Sequence, residues 1–88
     1  MNINTQLGMR IRYLRKQKGL SQEDLALDSG VNKNYLSDLE RGERNPTIVV
    51  LEKIATSLGV TLSTLFKGIQ SFEDWDILYE VRGIKTCN

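Results

Sequence analysis

Residues 21–47 read SQEDLALDSGVNKNYLSDLERGERNPT, a pattern of two short helices with a turn between them. Ser21 begins a sequence close to a capping box, although the third helical residue is Asp rather than Glu. Gly30 favours the end of the first helix, and an Asn N-cap begins a second helix over about 32–41. Because Gly42 is a suitable stop for that second helix, the region predicts a helix-turn-helix corner.

Similar start and stop signals divide the rest of residues 1–68 into three more helices. The first helix ends at Gly19 and carries an apolar stripe at i, i+4 and i+7, formed by Leu7, Ile11 and Leu14. The N-caps and glycine stops of the last two helices are Thr47 with Gly59, around the apolar set Leu51, Ile54, Ala55 and Leu58, and Thr61 with Gly68. The sequence therefore predicts an all-α domain of five helices over residues 1–68.

Residues 69–88 form an extension whose pattern supports two interpretations. The segment Ser71-Phe72-Glu73-Asp74 resembles a helix start, with Gly83 as its stop. Alternating apolar residues at Ile77, Tyr79 and Val81 are instead typical of a strand. We favour a sixth helix over about 71–82 and expect the extension to serve dimerisation or packing.

Composition excludes several classes of function. The 88 residues suffice for one domain, and they include no His and one Cys. A histidine base, a His-ligated metal and a Cys-rich zinc site are therefore excluded, and we expect no enzyme activity, no metal and no cofactor. No apolar run approaches the roughly 20 residues of a membrane span, which favours a soluble protein with no membrane partner, in the reducing cytoplasm.

The second helix of the corner has the side chains that DNA reading needs. The net charge of +1 does not by itself indicate nucleic acid, so the placement of polar groups must do so. At helical spacing, Leu36 and Leu39 face inward, while the outward set is Lys33, Asn34, Ser37 and Asp38. In a helix-turn-helix, the first helix crosses the DNA backbone and the second enters the roughly 12 Å wide major groove.

Seven segments in order resemble one known family. They are Ser21-Gln22-Glu23-Asp24-Leu25-Ala26, Gly30-Val31, Tyr35-Leu36-Ser37, Leu39-Glu40-Arg41-Gly42, Arg44-Asn45-Pro46-Thr47, Leu51-Glu52-Lys53-Ile54-Ala55 and Leu58-Gly59-Val60. Together, over about residues 6–67, they resemble the Cro/C1-type helix-turn-helix regulators, which include the lambda and 434 repressors and the controller proteins of restriction-modification systems. The resemblance implies a lambda-repressor-like fold and DNA binding.

The resemblance also implies roles for individual residues. It places Gln22 on a phosphate at the N-terminus of the helix that Ser21 begins, and Arg15 with Glu40 in an internal ion pair. The implied base-contacting residues are Lys33, Asn34 and Asp38, with Ser37 nearby, and the further phosphate contacts are Tyr35, Arg41, Arg44 and Asn45. Each could instead be an ordinary exposed residue. Tyr35 could pack on the first helix, and a carboxylate at Asp38 is electrostatically unwelcome near phosphates.

One such helix reads only about four base pairs, so selecting a genomic site requires a second copy. We therefore predict a homodimer that binds a pseudo-palindromic operator in double-stranded DNA as a transcriptional repressor or controller. The residues expected at the dimer interface are Leu62, Leu65, Phe66, Phe72 and Trp75. The alternative is an antitoxin that binds DNA and sequesters a toxin through its C-terminal segment. A protein partner, either a toxin or a polymerase subunit, is compatible with this sequence.

Overall fold

The computed structural model describes residues 2–70, which form five α-helices and no strand. The helices are α1 (Ile3–Gln17), α2 (Gln22–Ser29), α3 (Lys33–Glu40), α4 (Ile48–Leu58) and α5 (Leu62–Leu65). The all-α, five-helix prediction is confirmed. The expected sixth helix falls on residues outside the described range. Among the described helices, none has both the length and the apolar character that crossing a membrane requires.

Side-chain caps begin every one of these helices. The N-cap oxygens that accept a backbone N–H belong to Asn2, Ser21, Asn32, Thr47 and Thr61. At α2 the capping box is complete: the Ser21 hydroxyl accepts from the Asp24 N–H, and the Asp24 carboxylate accepts from the Ser21 N–H, both at 3.0 Å. The Ser21 hydrogen bonds lower the pKa of Asp24 below its usual range. A shorter Asp therefore does here what a Glu usually does.

The core lies where α3 packs against α1 and α2, and where α4 and α5 close the other side. Leu36 and Leu39 are fully buried, as the helical spacing predicts. The other buried apolar residues are Leu7, Ile11, Leu25, Ala26, Leu51, Ile54, Ala55, Leu58 and Leu65. The outer face of α3 is thereby left to polar residues.

Three details differ from the sequence predictions. Helix α3 ends at Glu40, because Arg41 is the C-cap and Gly42 follows with a φ of 81°. Helix α5 ends at Leu65 rather than near Gly68, and a turn occupies residues 66–68. Leu65 itself is 0% exposed in the core, unlike the surface position expected of a dimer-interface residue.

Gly8 is a packing residue that the sequence analysis did not single out. It lies on the buried side of α1, where that helix meets the C-terminal end of α3. A Cβ at this position would lie 2.4 Å from the Leu39 carbonyl oxygen and 2.5 Å from that of Glu40. Only glycine permits so close an approach, which fixes the distance between α1 and the end of α3. A glycine beside a helical apolar stripe was the available signal.

Candidate nucleic-acid interface

A buried ion pair joins α1 to α3, the helix that carries the candidate interface. Arg15 donates from Nε to Glu40 Oε2 at 2.7 Å and from Nη2 to Glu40 Oε1 at 3.0 Å, and each residue is only 7% exposed. Arg15 Nη1 also donates to the Leu20 carbonyl oxygen at 2.8 Å. The predicted pairing of Arg15 with Glu40 is thus present. It holds the last residue of α3 against α1 with both charges hydrogen-bonded.

Gln22 also hydrogen-bonds to Glu40 of this ion pair, a contact that the sequence did not predict. Its Nε2 donates to Glu40 Oε1 at 3.0 Å, and the side chain is half-buried at the first position of α2. An amide nitrogen carries two hydrogens, so the second can be donated to an external acceptor. The first N–H groups of a helix also favour an anion. Gln22 is therefore held by Glu40 at a position suited to a phosphate.

The N-terminal half of α3 presents two unengaged polar side chains. Asn32 caps the helix by accepting from the backbone N–H groups of Asn34 and Tyr35, at 2.8 and 3.1 Å. Lys33 and Asn34 are exposed, and within residues 2–70 their side chains make no hydrogen bond or ion pair. Their donors and the Asn34 acceptor are available to an external partner.

The C-terminal half of α3 is different, because its polar groups are engaged with one another. Asp38 accepts from both Arg41 and Arg44, the latter at 3.2 Å from Nε and 3.1 Å from Nη2. Arg41 also donates to the Ser37 hydroxyl at 2.7 Å and to Glu43 at 3.3 Å. The partners Glu43 and Asp38 raise the pKa of Arg41 further above its usual range. We call this set, Ser37, Asp38, Arg41, Glu43 and Arg44, the arginine cluster.

Tyr35 and Asn45 flank the arginine cluster. Tyr35 is half-buried and packs against the edge of the core, while the Arg44 guanidinium lies over its ring, 5.0 Å from the centroid. Asn45 is exposed, and its side-chain oxygen accepts from the Asn4 amide. The predicted contact residues from Lys33 to Asn45 therefore lie along α3 and the loop after it. No sequence signal showed the stacking of Arg44 on Tyr35.

Of the basic residues of α1 and its C-cap, Arg10, Arg15 and Lys18 are engaged within the molecule, whereas Arg12 and Lys16 are exposed and make no hydrogen bond or ion pair within residues 2–70. Arg10 donates to the Thr64 carbonyl oxygen at 2.9 and 3.3 Å and lies over the Tyr13 ring. Lys18 donates to the Ser57 carbonyl oxygen at 3.3 Å. Arg10, Arg15 and Lys18 therefore hold elements of the fold together. The polar face of α3, with its unengaged Lys33 and Asn34, is the candidate interface.

Comparison with known proteins identifies the class to which this fold and surface belong. The helix-turn-helix family matches residues 11–65, and the chain belongs to that family, in its Cro/C1-type form. Family members are DNA-binding transcriptional regulators, so the chain is a regulator of this class and not an enzyme.

Three of the similar proteins are controllers of restriction-modification systems or control proteins. Control protein C.MunI of Mycoplasma sp is 43% identical over 70 residues, covering 78% of this chain and 95% of that protein. The crystal structure of the restriction-modification controller protein C.AhdI from Aeromonas hydrophila matches with a TM-score of 0.69 and 45% identity, covering 70% of this chain and 94% of that one. The controller protein C.Esp1396I, crystallised as a tetramer with its natural 35-base-pair operator, matches with a TM-score of 0.72 and 35% identity, covering 78% and 91%.

The buried ion pair generates a stability prediction. Glu40→Gln leaves the Arg15 guanidinium buried without a counter-charge, and we expect a loss of about 3–5 kcal/mol in the free energy of unfolding, measured by urea denaturation. Glu52→Gln, an exposed change on α4, is the control and should shift stability by no more than about 0.5 kcal/mol. Equal effects of the two substitutions would contradict the structural role of the pair.

Proposed function

We propose that this chain regulates transcription as a homodimer that places α3 of each copy in the major groove of a pseudo-palindromic operator. The observation that carries the proposal is the pair of exposed, unengaged side chains of Lys33 and Asn34 at the start of α3. Base edges in the major groove are read by such donors and acceptors, and helix-turn-helix proteins present them near the N-terminus of the recognition helix.

Individual roles follow from the chemistry of the side chains. Lys33 can donate to guanine O6 and N7, and Asn34 can pair bidentately with adenine. Ser37 retains its hydroxyl hydrogen for a base or a phosphate, because it accepts from Arg41. Asp38 has both carboxylate oxygens occupied by arginines, which weighs against its expected contact with cytosine N4.

Phosphate contacts would flank the base readers on both sides. Gln22 would hold one phosphate at the N-terminus of α2, and the remaining contacts would come from Tyr35, Arg41, Arg44 and Asn45. Such contacts fix the position of the protein on the duplex without reading its sequence. They supply the salt-dependent part of the affinity.

Dimerisation is needed because one α3 reads too few base pairs to select a site. Two copies related by a two-fold axis would read half-sites about 34 Å apart, or a multiple of that distance. The controller C.Esp1396I binds its own operator as a tetramer, which supports assembly from paired copies. Leu62 and Phe66 remain partly exposed for such a contact, and we propose that the extension over 69–88 contributes Phe72 and Trp75.

The similarity to C.MunI and C.AhdI favours a controller of a restriction-modification system, acting in the cytoplasm. A phage-type repressor uses the same surface. Nothing within residues 2–70 favours the antitoxin alternative over these two.

The base-reading assignment is tested by selecting bound sequences from random duplex DNA. Lys33→Ala and Asn34→Ala should each relax the preference at one base pair, at a cost of about 1–3 kcal/mol, whereas Gln22→Ala and Arg44→Ala should weaken all sequences alike. Lys53→Ala, on the exposed side of α4, is the control and should change neither. Unchanged preferences in the two α3 variants, or no duplex bound at about 50 mM salt, would refute the assignment.

The dimer is tested by sedimentation equilibrium of the full chain beside a chain ending at Gln70. The shorter chain keeps the hydrogen bonds between Gln6 and Gln70, both at 3.0 Å, so its fold should persist. We expect it to dissociate at a protein concentration at which the full chain is dimeric, because it lacks Phe72 and Trp75. Equal dissociation constants would remove the extension from the interface.

A further inference from the structure

Asp38 stands on the DNA-reading side of α3, one turn beyond Asn34, yet it is fully engaged inside the molecule. One carboxylate oxygen accepts from Arg41 Nη2, and the other accepts from Arg44 Nε and Nη2 at 3.2 and 3.1 Å. Its side chain is only 27% exposed. To accept a hydrogen bond from a base, the carboxylate would have to give up these arginines.

Each arginine has a second anchor that keeps it near Asp38. Arg41 is held by the Ser37 hydroxyl and by Glu43, and Arg44 is held by the ring of Tyr35. The arginine cluster contains two positive and two negative side chains, so its formal charge is zero. It lies where α3 passes into the following loop, the region proposed above to approach the DNA backbone.

We propose that Asp38 is an intramolecular competitor of DNA phosphates for Arg41 and Arg44, and so sets how strongly this protein binds DNA of any sequence. The inference rests on the proposed function of α3. A phosphate can take the two guanidinium groups only by displacing the carboxylate or by sharing them with it. The carboxylate charge also repels phosphates that approach the same surface.

The consequence is that sequence-independent affinity and base recognition depend on different residues. Asp38 reduces the affinity that comes from phosphates, which is the sequence-independent share. No side chain within residues 2–70 competes in this way for Lys33 and Asn34. The affinity that these two residues contribute by binding bases is therefore not reduced. Asp38 is thus a positioning residue that acts through the arginines and reads no base. A regulator built this way occupies unrelated DNA less at a given concentration.

The test substitutes Asp38→Asn, which keeps the shape of the side chain and removes its charge. Affinity is measured for a selected duplex and for an unrelated duplex between about 50 and 200 mM salt. We expect both affinities to rise by about 3–10-fold, the sum of two exposed ion pairs and one repulsion removed. We also expect the slope of log K against log salt concentration to steepen by about one, with base preferences unchanged.

Asp28→Asn is the matched control, because it makes the same change at an exposed residue near the end of α2 and away from the arginine cluster. It should raise affinity by less than half as much as Asp38→Asn on a logarithmic scale. A second set of variants carries Arg41→Gln and Arg44→Gln, with and without Asp38→Asn. The gain should fall by more than half on a logarithmic scale in that background, since only the repulsion between the carboxylate and phosphates is then removed.

Three outcomes would overturn the proposal. Weaker binding of all sequences by Asp38→Asn would mean that the carboxylate orders the arginines for DNA. A relaxed preference at one base pair would make Asp38 a base reader, and a gain of undiminished size without the arginines would be a general charge effect. Failure of the proposed function itself looks different, because the unaltered protein would then bind neither duplex. Thermal unfolding of each variant confirms that the compared proteins are folded.

Discussion

The pairing of Arg15 with Glu40 is the constraint on which the rest of this structure depends. Two charges that are 93% removed from solvent would be costly if either lost its partner. Here the guanidinium donates to both Glu40 oxygens and to the Leu20 carbonyl oxygen, so the burial is compensated. Because Glu40 is the last residue of α3, the pair sets where that helix ends relative to α1. The direction in which the outward face of α3 points therefore depends on this contact.

The same network connects the scaffold to the surface. Gln22 donates to the Glu40 oxygen that also accepts from Arg15, which ties the start of α2 to the end of α3. The glycine at position 8 lets α1 approach the α3 carbonyl oxygens closely enough for the pair to form. Leu36 and Leu39 then fill the core behind α3. This polar network, supported by tight packing, therefore positions both Gln22 and the outer face of α3.

The polar side chains at the two ends of α3 differ in whether they are paired within the molecule. At its N-terminal half, Lys33 and Asn34 are unengaged and suited to directional hydrogen bonds with bases. At its C-terminal half, the arginine cluster holds its charges in internal pairs. The proposed base readers thus lie at the start of α3, whereas the arginines proposed to contact phosphates lie just after its end, at the C-cap and in the following loop.

The helices and the inward residues of α3 and α4 were predictable, because caps, glycine stops and apolar spacing are local features of the sequence. The family resemblance supplied the partner of Arg15. Neither source gave the third partner, Gln22, or the engagement of Asp38 with Arg44, because both depend on how separate elements pack. Leu65 shows the limit most clearly: its apolar character suits a core and an interface equally, and only the packing of α5 decides between them.

We propose that the outer face of α3, fixed by the buried pair, is the surface that meets DNA. Titration of the ¹⁵N-labelled full chain with a selected duplex, followed through the amide resonances, tests it most directly. We expect the largest shifts at Gln22 and along residues 33–38, while Lys53 and Ser57 on α4 change little. Large shifts on α4, with α3 unchanged, would contradict it.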